Sequence, residues 1–205
     1  VKEMATAIDF TTGGSVQLLA GYRGAGKTTE LLRLCRVLDR DVYVPVYWDI
    51  EDYFNTELPL EEGAFFIGLA AGFVDNCEGA GIPKEKLIDR IRRFFNRIEV
   101  DSSAVLDTSA GPASFNIKAA LQDDTSFRNQ VKKALSSNRR RFKEEIHAFF
   151  DAMVDVMPGG RTPVFIVDSI DHYRGRTGTF DEVRESVESL FSVYSSELAL
   201  PRMHV

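Results

Sequence analysis

Apolar residues are arranged in two ways along this chain: short dense runs that stop abruptly, and longer stretches in which they recur every three to four positions. The run SVQLLAG, Ser15 to Gly21, is rich in strand formers and ends at glycine, which predicts a buried β-strand. After Lys27 the spacing of Leu31, Leu34, Cys35 and Leu38 switches to that of a helix. VYVPVYWDI, Val42 to Ile50, predicts a second strand, and Pro45 pushes it to a sheet edge because proline donates no ladder hydrogen bond. Asp49, Glu51 and Asp52 close it.

PVFIVDSIDH, Pro163 to His172, predicts a third strand; its unbroken apolar run implies burial on both faces, as in a parallel sheet covered by helices. Between the second and third strands the chain reads as mostly helical. Gly63 to Val74 is a buried helix, shorter than the roughly 18 apolar residues a membrane span needs. Ile88, Ile91, Phe94, Phe95 and Ile98 line a helix beginning near Pro83, and Phe142, Ile146, Phe149, Phe150, Met153 and Met157 line one ending before Gly159-Gly160. Val100 to Phe115 reads as an irregular loop. A last helix is expected from Phe180 to about Tyr194, with Thr179 and Glu182 at capping-box spacing, and LPRMHV reads as the start of a fourth strand. The phenylalanine stripes sit at helical spacing and read as core, not as base-stacking surfaces.

Composition narrows the class. The 205 residues are 44% hydrophobic and 27% charged, as expected of a soluble globular domain with one substantial core. A net charge of -6 argues against a chain wrapped uniformly on nucleic acid or an anionic membrane. Cys35 and Cys77 fit neither a disulfide scaffold nor a zinc spacing and read as reduced thiols of a cytoplasmic protein, with no structural metal. The start at Val1, without a signal pattern, reads as a boundary within a longer polypeptide.

The chemistry is concentrated at Gly21-Tyr22-Arg23-Gly24-Ala25-Gly26-Lys27-Thr28, which matches G-x-x-x-x-G-K-[ST] between a predicted strand and a predicted helix. Glycines there let backbone N–H groups turn toward phosphate oxygens, and the helix start adds the positive end of its dipole. Lys27 would reach the β and γ phosphates and Thr28 would ligate Mg²⁺, with Thr29 beside it in the first turn. The strand Val164-Phe165-Ile166-Val167-Asp168 ends in a carboxylate suited to hold Mg²⁺ opposite Thr28. Asp171 would orient the attacking water, contact the metal's outer shell, or cap the next turn.

GYRGAGKTTEL together with VFIVDSIDH resembles the ATPase core of the AAA+ and STAND group of P-loop NTPases, especially prokaryotic members with an arginine in the phosphate loop, as Arg23, and a D-x-x-D strand end, as Asp168 and Asp171. The resemblance implies a three-layer αβα fold with a mostly parallel sheet, here in a single domain over 1–205 with a helical insertion at about 55–160. It implies binding of ATP and ADP with Mg²⁺, slow hydrolysis, and nucleotide-dependent assembly of a homo-oligomer or gating of an attached effector; some relatives act in bacterial defence. In such sheets the strand after the Walker B helix inserts between the phosphate-loop strand and the Walker B strand, and here it would begin at Met203-His204-Val205, leaving the core incomplete at the C-terminus. A kinase-type P-loop fold instead sets the two strands side by side.

The sequence departs from that family's pattern at Ser169, where many members carry the glutamate that polarises water. Asp171 would substitute, or hydrolysis is slow and the protein is a switch. Glu51 and Asp52 are outside candidates, better read as a solvated acidic turn. Lys132, Lys133, Arg139, Arg140, Arg141 and Lys143 read as the solvated face of a helix rather than a nucleic-acid grip, and Arg174 and Arg176 are better arginine-finger candidates. His172 reads as a polar loop residue. The absence of N/T-K-x-D favours adenine. Two other functions stay open: a nucleotide-gated scaffold with negligible hydrolysis, and a small-molecule phosphotransferase.

Overall fold

Two seven-residue strands, β1 (Tyr43–Asp49) and β4 (Thr162–Asp168), pair in parallel with Asp49 opposite Asp168. The structure, a computed structural model, describes residues 1–11, 13–22, 24–58, 61–77, 81–82, 84–103, 105–107, 114–170 and 202–205. Side chains alternate across the pair. Val44, Val46 and Trp48 of β1 share one face with Phe165 and Val167 of β4; Tyr43 and Tyr47 share the other with Val164 and Ile166.

Helices cover both faces. On the Val164 face lie α1 (Lys2–Phe10) and α2 (Lys27–Val37), which bring Ile8, Leu31, Leu34 and Leu38 onto the strands. The Phe165 face is covered by α3 (Glu62–Cys77), α4 (Lys84–Arg97), α5 (Ile117–Asp123), α6 (Thr125–Ser137) and α7 (Arg139–Val154), whose buried side chains form one cluster with it. Phe73 of α3 packs tilted against Phe165 and Phe150 of α7 meets it edge to face, at ring-centroid distances of 5.5 and 5.8 Å. The amphipathic spacing thus becomes a helix–sheet–helix arrangement, a mixed α/β fold around a parallel strand pair. Asp124 and Asn138 start α6 and α7 by accepting from the N–H groups of Phe127 and Arg141, each at 3.0 Å.

Met203–Val205 extends the sheet beyond β4. His204 bridges Val164 on one side and Ser15 on the other, both in parallel. Five backbone hydrogen bonds hold it: Phe165 N–H to His204 O, His204 N–H to Pro163 O, Ser15 N–H to Met203 O, Val205 N–H to Ser15 O and Gln17 N–H to Val205 O, at 2.8–3.1 Å. The order across the sheet is therefore 43–49, 162–168, 203–205, 15–17. Pro45 sits in β1, which pairs only with β4 among the described residues, as expected of an edge.

Four details differ from the sequence expectations. Among the described residues the first strand pairs only over Ser15 to Gln17, and Leu18 is exposed. The loop at 100–115 contains a short antiparallel ribbon of β2 (Leu106–Asp107) and β3 (Ser114–Phe115). Helix α1 is not among the elements predicted from the sequence; it buries Ile8, with Met4 and Ala5 partly buried in the same cluster. The third strand stops at Asp168, where Ser169 turns to φ +63°. The helix expected over Phe180 to Tyr194 lies outside the described residues.

Candidate functional site

All the sheet segments run the same way, so the turn that leaves Ser15–Gln17 emerges at the same sheet end as Asp168. This is the carboxyl end, where ligands bind in open α/β sheets. Within the turn, Gly24 and Gly26 both take φ +81°, a left-handed conformation that would strain any residue with a Cβ. Ala25 N–H donates to Tyr22 O at 3.0 Å, closing the turn. Gly26 is the N-cap of α2 and offers no side chain to satisfy the first-turn N–H groups of the helix.

Lys27 is half-buried. Its stem lies over Gly21, and its ammonium donates to the carbonyl oxygens of Gly21 and Tyr22 at 3.1 and 3.2 Å. These contacts place the cation at the start of the loop, and a phosphate oxygen is a stronger, charged acceptor than either carbonyl. Thr28 and Thr29 follow on the exposed first turn. Arg23 and Asp171 lie outside the described residues, as do His172, Arg174 and Arg176.

Asp168 is buried at 5% exposure. Strand alternation puts it on the face of Val164 and Ile166, which α2 covers, and so on the side of the sheet where Lys27 and Thr28 begin that helix. Its Oδ1 accepts from Ser169 N–H at 2.8 Å and its Oδ2 from the Tyr47 hydroxyl at 2.7 Å. Burial, then the hydrogen bond to Asp168, pushes the Tyr47 phenol far above its ordinary value of 10, so it stays a donor.

Tyr47 escaped the sequence reading. Its contact with Asp168 spans 121 residues and depends on the register of β1 on β4, which no local pattern encodes. Asn76 of α3 holds the tyrosine's backbone by donating to Tyr47 O at 3.2 Å and to Gly72 O at 2.8 Å. At the same sheet end Asp49 accepts from Glu51 N–H at 3.1 Å and caps the turn Ile50–Asp52. Gln122 of α5 donates to Asp52 O at 3.1 Å, tying this acidic turn to the helical layer. Glu51 and Asp52 are exposed there.

The basic run is engaged in ion pairs: Arg139 with Glu62 at 3.2 Å, Arg140 with Glu144 at 2.8 Å, Arg141 with Glu99 at 3.0 Å and Lys132 with Glu61 at 2.7 Å. These helices cover the sheet face opposite α2. Cys35 is a free thiol whose pKa burial raises, with Arg40 opposing. Among the described residues no helix is long and apolar enough to cross a membrane.

The candidate donors for a cation, the Thr28 hydroxyl and the Asp168 carboxylate, are both oxygen. Such a set fits a hard ion such as Mg²⁺ that keeps several of its waters, and suits no thiolate- or imidazole-seeking metal. No protein-family model, no curated protein and no solved structure matches the chain significantly.

Proposed function

We propose that this chain is an ATP-binding P-loop domain of the AAA+ or STAND type, which binds Mg²⁺–ATP and hydrolyses it slowly to drive assembly or gate an attached effector. The observation that carries the reading is the insertion of Met203–Val205 between Ser15–Gln17 and β4. That order is the one the AAA+ resemblance requires, whereas a kinase-type sheet would put the loop strand directly against β4. The glycine turn and Asp168 share one sheet end and one face, which supports a common ligand.

In this reading the N–H groups of Gly24 to Thr28 donate to the phosphate oxygens, and Lys27 leaves the carbonyls of Gly21 and Tyr22 to neutralise the β and γ oxygens. The Thr28 hydroxyl and Asp168 would hold Mg²⁺, Thr29 would line the first turn, and Arg23 would lie over the phosphates. When bound, Mg²⁺ offsets negative charge on the γ-phosphate as the bond to it breaks. Asp171 is the proposed group for orienting water. A cytoplasmic setting, where ATP is held, goes with this assignment.

One observation favours a second reading, a nucleotide-gated scaffold. Ser169, buried directly after Asp168, has no basicity at neutral pH to activate water. Phosphate release and ATP affinity of the parent and Lys27→Ala test both. Loss of one charge-assisted contact predicts roughly ten- to hundredfold weaker binding. ATP-dependent assembly without phosphate release selects the scaffold. Equal ATP affinity in the two proteins refutes the site.

A further inference from the structure

We propose that Tyr47, in β1, is a positioning residue for the cation-holding carboxylate, setting how strongly Mg²⁺ reinforces nucleotide binding. This rests on the assignment of Asp168 to Mg²⁺. A carboxylate offers about four lone-pair positions, two on each oxygen. Among the described residues each oxygen of Asp168 accepts one hydrogen bond, from Ser169 N–H at 2.8 Å and from the Tyr47 hydroxyl at 2.7 Å. One lone pair per oxygen is left for metal-bound water, and the two fixed donors determine which way those lone pairs point.

The two donors differ in kind. Ser169 belongs to the same strand end and follows Asp168 in any movement. Tyr47 belongs to another strand, and its backbone is anchored by Asn76 to the carbonyl of Gly72 in α3. The carboxylate torsion of an aspartate is broad and roughly two-fold, so one local donor leaves it free to swing. The tyrosine hydroxyl closes that freedom and references the carboxylate to the helical layer on the far face of the sheet.

The test is the ATP dissociation constant with chelator and with saturating Mg²⁺, measured for the parent, Tyr47→Phe, Asp168→Asn and the double variant, each shown to be folded by circular dichroism. In Tyr47→Phe the gain in affinity on adding Mg²⁺ falls about tenfold while metal-free binding is unchanged, the size typical of losing an outer partner of a metal site. In the Asp168→Asn background the tyrosine change has no further effect. The proposal is overturned if Tyr47→Phe keeps the parent's Mg²⁺ gain, or if its metal-free and metal-bound affinities fall in equal proportion, the mark of a merely structural role. A parent that fails to bind ATP, or an Asp168→Asn variant with the parent's Mg²⁺ gain, overturns the underlying site assignment as well, and the two failures are separately visible.

Discussion

Gly72, on the face of α3 that meets β1, gives the sharpest test of how the helical layer is seated on the sheet. An alanine Cβ there would lie 2.5 Å from Trp48 Cδ1 and 3.0 Å from both Cγ and Nε1. Non-bonded carbons settle at about 3.5–4.0 Å, so the indole or the helix must yield by about 1 Å. The indole has little room, being 1% exposed and flanked by Phe65 and Tyr53 at ring-centroid distances of 5.3 and 5.5 Å. Helix propensity favours alanine over glycine by about 1 kcal/mol. Overpacking a rigid core costs about 1–3 kcal/mol, and this geometry belongs at the upper end. The net loss is about 2 kcal/mol, equivalent to about 4–8 °C in Tm for a chain of this length. Thermal unfolding of Gly72→Ala followed by circular dichroism measures it, and emission from Trp48, the single tryptophan, reports the local shift. A variant that melts at or above the parent with unchanged emission would refute the reasoning, because the glycine would then be dispensable where helix and strand touch.

Two further outcomes follow from buried ionisable groups. His204 lies 2.7 Å from Ser15 Oγ within the sheet, and burial holds its pKa below the ordinary 6.5, Asp9 opposing. The unfolded chain therefore binds more protons below about pH 6.5, so no penalty exists above that value and stability declines as the pH falls beneath it. Urea midpoints between pH 7.5 and 5.5 should show this slope, and His204→Asn should reduce it. His147, lowered mainly by burial, accounts for part of what remains. Glu62 has a side chain only 5% exposed and pairs with a half-exposed Arg139, so Glu62→Gln should cost about 1–2 kcal/mol, less than a fully buried pair because water screens the arginine. Glu144→Gln, which breaks the exposed Arg140 pair, should leave the urea midpoint unchanged.

Much of the candidate site's conformation was legible because its parts are local. The spacing of Gly21, Gly24, Gly26 and Lys27 marks the turn, in which Gly24 and Gly26 take a left-handed φ, and Leu31 and Leu34 mark the helix that follows it. Asp168 was readable as the end of an apolar strand, and Pro45 as the sign of an edge. Hydrophobic period likewise distinguished the helices between β1 and β4 from the strands that bracket them, since each element's own sequence decides which face it buries.

What the sequence determined by itself was conformation over short spans: which stretches pair as strands, which coil as helices, and where the glycine turn falls between them. The tertiary structure alone decided the partnerships. Tyr47 meets Asp168, Met203–Val205 wedges between Ser15–Gln17 and β4, and Arg139 finds Glu62, each across a separation no local pattern reaches. The physical reason is register: a one-residue slip of β1 on β4 would turn Tyr47 to the other face, and what holds the register is the joint packing of Trp48, Phe165 and α3.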